Sequence, residues 1–148
     1  MEMNPRRQVL AYIAGALGAV AATGLLLRPG RDAPAGRSYR VVDERRLAIG
    51  GLGLFIAVQK ALPRDSLLSL GDGLRKEYAP QPNMVVGLFD NVDAARTVKK
   101  GSRVVGEESF QAAMAHQVAF YVKDSRTGRH DFTIYGEPRE AVLYESGQ

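Results

Sequence analysis

In a chain of 148 residues with no cysteine, the first candidates for chemistry are its two histidines, its carboxylates, its serines and a glycine-rich loop. His116 and His130 could share a metal ion, or divide acid and base duties, only if folding brings their rings together. Both border stretches that alternate between apolar and polar residues. Val118, Phe120 and Val122 lie on one side of the first stretch, with Gln117, Ala119, Tyr121 and Lys123 on the other. Phe132 and Ile134 alternate with Asp131, Thr133 and Tyr135 in the second. The turn sequence Asp124-Ser125-Arg126-Thr127-Gly128 separates them, so the segment predicts a β-hairpin. Placing Lys123 opposite Arg129 puts His130 opposite Val122. His116 is then six residues away along the strand, roughly 20 Å at about 3.3 Å per residue. The expectation is two separate strand-end histidines and no shared metal.

Glu107 and Glu108 open a segment that suits a short helix, and His116 follows Glu108 by eight positions. Two helical turns keep such a pair about 12 Å apart, too far for proton exchange. Ser109 and Ser125 lack the flanking glycines of a nucleophile elbow. Gly50, Gly51 and Gly53 lack the third glycine of a dinucleotide loop and the Lys-Ser/Thr of a phosphate loop; a bulge or a close backbone approach is expected there instead. The absence of cysteine removes disulfides, thiolate metal sites and a thiol nucleophile. The sequence therefore assigns no catalytic residue, no cofactor and no metal site.

The elements that would position these residues form an α+β body over residues 38–148. Ser38 to Asp43 reads as a short strand. Leu47 to Gln59 reads as one long strand buried on both faces. Pro63 suits the first turn of a helix reaching about Tyr78, with Leu67, Leu70, Leu74 and Tyr78 as its apolar stripe. Met84 to Phe89 is a further apolar strand. Asp90 is expected to cap a helix from Asn91 to Lys100, which Gly101 ends. After the helix near Glu107 comes the hairpin, and Ala141 to Tyr144 could add an edge strand. The prediction is a small α/β sandwich: a mixed sheet of four to six strands, two to three helices on one face, and a terminal hairpin.

Residues 9–27 set the location. They are 19 consecutive residues without a charge, and Arg6-Arg7 precede them. As a helix they span roughly 28 Å, close to the thickness of a bilayer's hydrocarbon core. The expected layout is a basic flank (1–8), a transmembrane helix or uncleaved signal anchor (9–27), a linker (28–37) and the soluble domain (38–148). Small residues recur four apart in two adjacent rows, Ala11, Gly15, Ala19 and Ala14, Gly18, Ala22. That spacing lets another membrane helix pack closely. Arg6-Arg7-Gln8-Val9-Leu10 also resembles a twin-arginine export signal, and Ala33-Pro34-Ala35 has the form of a cleavage site.

Residues 1–37 carry five Arg against Glu2 and Asp32, a net of +3 within the chain's +4. The body is left near neutrality, which argues against a nucleic-acid ligand. The basic excess flanks the membrane segment, where lipid head groups would meet it. Tyr121, Lys123, Arg126, Arg129 and Tyr135 give the hairpin tip a basic, aromatic character that could form a docking surface. The leading expectation is a single-pass, non-enzymatic binding or assembly protein. It would be an accessory subunit of a larger membrane complex, its body on the periplasmic or extracellular side and its partners lipid and an integral membrane protein. The layout resembles that of small membrane-tethered bacterial domains. A released periplasmic domain binding a small ligand is the alternative, and a small enzyme with a dispersed site is a third.

Overall fold

The computed structural model describes residues 39–136 and 140–144. The 9–27 segment and its small-residue rows lie outside them, and no helix among the described residues is long and apolar enough to cross a membrane. The described residues form an α+β fold around one six-stranded mixed sheet whose spatial order equals its chain order. The strands are β1 (Tyr39–Arg46), β2 (Leu52–Val58), β3 (Asn83–Phe89), β4 (Gln117–Asp124), β5 (Arg129–Ile134) and β6 (Glu140–Leu143). Every neighbouring pair is antiparallel except β2 and β3. A parallel pair needs a crossover, and helix α1 (Arg64–Glu77) supplies it.

Helices cover both faces of the sheet, not one as expected. Successive strand residues point to opposite sides, and β2 is apolar at every position from Leu54 to Val58. Leu54, Ile56 and Val58 meet Leu67, Leu70 and Leu74 of α1. Phe55 points the other way, beside Phe89. There it is covered by α2 (Val92–Lys100), through Ala94, Ala95 and Val98, and by α4 (Glu107–Met114), through Phe110 and Ala113. Burying each of the three α1 leucines contributes about 1.5–3 kcal/mol. Gly71 lets α1 lie directly on the ring of Phe132; a Cβ there would come within 2.8 Å of that ring.

The single strand expected over Leu47 to Gln59 is in fact a turn followed by β2. Leu47 N–H donates to Gly51 O, and Gly50 N–H to Leu47 O, reversing the chain between β1 and β2. Gly50 and Gly51 have φ of 79° and 101°, values that favour glycine. Gly51 also lies so close to β3 that a methyl group would overlap the Asn83 carbonyl oxygen, the close approach anticipated for these glycines. The side chain of Asn83 then ties two turns together. Its Nδ2 donates to Ile49 O and Gly50 O, and its Oδ1 accepts from Ser125 N–H and Ser125 Oγ.

Two helix details differ from expectation. Asn91, not Asp90, caps α2, its Oδ1 accepting from Asp93 N–H and Ala94 N–H at 2.8 and 3.0 Å. A short helix, α3 (Ser102–Val105), also sits between Gly101 and Gly106, whose φ of 83° and 86° set the corners.

Candidate functional site

The carboxyl ends of β2 and β3 hold the best-formed polar pair. From β2 the chain passes to α1 on one face, and from β3 to α2 on the other, so the two connections part at this end of the sheet. Asp90 follows β3 and His116 precedes β4. His116 Nδ1 lies 2.8 Å from Asp90 Oδ1, and Asp90 N–H donates to the His116 carbonyl at 3.1 Å. A carboxylate only accepts hydrogen bonds, so Nδ1 is the donor, and in the neutral imidazole the lone pair is then on Nε2. The imidazole side chain is 48% exposed. A carboxylate-oriented imidazole with Nε2 open can accept a proton or make one bond to a metal. Among the described residues no group of three or more histidine, aspartate or glutamate side chains could hold a metal ion. In the loop leaving β2, Ala61 adopts φ 57°, an uncommon conformation for a residue other than glycine.

His130 lies elsewhere. The hairpin register pairs Lys123 with His130 and Asp124 with Arg129, one residue from the expected alignment. The turn holds four residues, not five, and the slip moves His130 to the face of Tyr121. Tyr121 Oη and His130 Nε2 are 2.9 Å apart. Tyr144 packs on the imidazole with ring centroids 5.1 Å apart, and the Arg75 guanidinium sits 5.2 Å from the centre of the Tyr144 ring. Burial pushes the Tyr121 phenol up to about 12; Tyr144 adds to the rise and Arg75 opposes it. Tyr144 is raised too, by burial and then by Asp72, again against Arg75. Both phenols stay protonated around neutral pH, so the cluster latches α1, β4, β5 and the end of β6 with the Arg75 guanidinium as its cation.

The residues expected to form a docking surface separate. Tyr121 is fully buried, so it belongs to the core; α1 covers the face that strand alternation alone left open. Lys123 Nζ donates to Ala79 O at 2.9 Å. Arg126 pairs with the buried Asp124 at 3.3 Å, and Arg129 with the buried Asp131 at 2.6 Å. The two arginines of the tip are thus each matched by a carboxylate two residues away. Tyr135 is half-buried beside Phe120 and Met114. Glu107 accepts a hydrogen bond from Gln111 and belongs to the first turn of α4.

Along β2, β3 and β4, Gly53 and Gly87 leave a cavity of about 10 Å3 edged by Phe55, Phe89, Phe120 and Gln117. Gln117 Nε2 is buried there without a hydrogen bond. The space is about one water molecule in size, far below a ligand pocket.

Sequence reading missed the Asp90–His116 pair because the two residues are 26 apart and only the β3–β4 register brings them together. The available signal was a carboxylate ending one strand and a histidine opening another. No protein-family model, curated protein or solved structure matches this chain.

Proposed function

We propose that this chain is a membrane-anchored, non-enzymatic binding or assembly protein, an accessory subunit whose α+β body stands on the extracytoplasmic side. The observation that carries this reading is the uncharged run of 19 residues at 9–27, preceded by Arg6-Arg7. The small-residue rows Ala11, Gly15, Ala19 and Ala14, Gly18, Ala22 give the anchor a face on which another membrane helix can pack.

The topology of the body suits a tether. The chain enters the sheet at Tyr39, which pairs with Val58 at the carboxyl end of β2. The β4–β5 turn and Asn83 lie at the opposite end. Contacts made by the far end and by the β6 edge therefore lie away from the point of attachment.

Replacing Gly15 and Gly18 with Leu tests the proposal. The variant should stay in the membrane fraction and lose its co-purifying membrane partner in mild detergent. Unchanged co-purification would remove the helix-packing part. A mature native chain beginning near Gly36, found in the soluble fraction, would replace the anchor with an exported domain cleaved after Ala35, the second reading that Ala33-Pro34-Ala35 supports.

A further inference from the structure

The two edges of the sheet are defended differently. Five of the eight residues of β1 are charged, and its pairing with β2 shifts register between Val41 and Asp43. Charges and bulges are the usual means of preventing strand addition at an edge. At the other edge, β6 runs Glu-Ala-Val-Leu with no proline, lysine or register shift. Leu143 is 81% exposed, one of two large apolar side chains so exposed among the described residues.

The hydrogen-bonding pattern shows which groups stand open. Tyr144 N–H donates to the His130 carbonyl at 2.8 Å, and Val142 lies opposite Phe132. In an antiparallel ladder alternate residues bond to the same neighbour. Val142 and Tyr144 therefore turn their backbone groups toward β5. Ala141 and Leu143 turn theirs outward, where nothing among the described residues pairs with them. Both residues are also exposed.

We propose that β6 pairs antiparallel with β6 of a second copy of this chain, about a two-fold axis through Val142. That axis sets Ala141 of each copy opposite Leu143 of the other. The four outward backbone groups of each strand then meet the four of its mate, and each exposed Leu143 packs beside the small Ala141 side chain. The strand is self-complementary in this register because its two outward-facing residues flank Val142 symmetrically, one large and one small. A closed two-fold contact consumes the edge and leaves no sticky strand behind. The axis is perpendicular to the sheet, so the two points of attachment lie at opposite ends of the pair. The ten linker residues 28–37 reach up to about 35 Å when extended, enough to bring both anchors into one membrane. The inference deepens the assembly reading and rests on it for the role of the pair, while the pairing itself does not depend on the anchor.

The chain has no cysteine, so engineered thiols report pairing without background. The full chain carrying both Ala141→Cys and Leu143→Cys should form a covalent dimer on mild oxidation in its own membrane, since directly opposed residues suit a disulfide. The expected yield is at least ten-fold above that of Val104→Cys, a position on α3 that is 74% exposed. Leu143→Lys should convert the detergent-purified chain from two copies to one by light scattering. Equal cross-linking at Val104→Cys, a cross-link to a different protein, or a single-copy wild-type chain would overturn the proposal. Membrane fractionation of the same samples reads the anchor separately, so failure of one reading is not mistaken for failure of the other.

Discussion

β1 and β6 bound the same sheet, yet they are built on opposite plans. The charged side chains of β1 reach across to the helix layer. Asp43 bridges Arg45 at 2.7 Å and Lys99 at 3.5 Å, and Arg45 also donates to the Lys99 carbonyl and stacks over Phe55 at 5.1 Å. Charge at this edge both repels a foreign strand and fastens β1 to α2. Among the described residues β6 shows no such network. It is held by its ladder to β5 and by the ring cluster in which Tyr144 lies between His130 and Arg75. An edge fixed through charges is finished as a monomer, whereas an edge fixed only on its inner side is prepared for a further strand.

Substitutions at the two edges should separate these plans, beginning with the most damaging. Gly51→Ala sets a methyl group against the Asn83 carbonyl in a backbone conformation that disfavours a side chain. It should cost about 3 kcal/mol or more and unfold the β1 side first, as read by urea denaturation and by amide exchange in β1 and β2. Asn83→Ala removes four hydrogen bonds that join the β1–β2 turn to the β4–β5 turn. A loss of about 2–4 kcal/mol is expected in the same denaturation experiment.

Tyr121→Phe leaves the core shape intact and deletes the bond to His130, for a smaller cost of about 1–1.5 kcal/mol. Its pH dependence is more telling. The folded phenol titrates near 12 against an ordinary value of 10.0. Above pH 10 the unfolded chain therefore loses a proton that the folded chain keeps. The stabilisation is complete below pH 10 and disappears as pH rises toward 12. The wild-type chain should lose stability across that window, and Tyr121→Phe should lose less, by thermal unfolding at pH 8 and pH 11. Leu143→Lys should change the stability of the isolated body by no more than about 0.5 kcal/mol. Its effect should appear only in association, which sets β6 apart from β1.

Much of this architecture was legible because local pattern and burial agree. Leu67, Leu70 and Leu74 mark α1, and the alternation from Gln117 to Ile134 marks the hairpin. The end of α2 at Gly101 and the edge position of residues 141–143 were also within reach. Three features were not, each for a non-local reason. The turn at residues 47–51 is hidden because Leu47 and Ile49 are apolar: they cover Val85 and Phe120 and so read as strand. The placement of helices on both faces depends on Phe55 and Phe89, whose partners are far away in sequence. The one-residue slip in the hairpin follows from a four-residue turn that composition alone does not distinguish from five. The candidate site was illegible for the same reason. Asp90 was legible as a carboxylate near a helix start, but its bond to His116 exists only because β3 and β4 are neighbours. The tyrosine, lysine and arginines of the hairpin looked like a binding surface because sequence shows charges without showing which carboxylates neutralise them.

Amide hydrogen exchange on the full-length chain in its native membrane tests the contrast between the edges most directly. The account predicts that the Ala141 and Leu143 amides, which face away from β5, exchange slowly in the assembled protein and at least ten-fold faster in Leu143→Lys, while the outward amides of β1 exchange rapidly in both. Rapid exchange of the Ala141 and Leu143 amides in the assembled wild-type protein, equal to that of the outward β1 amides, would contradict it.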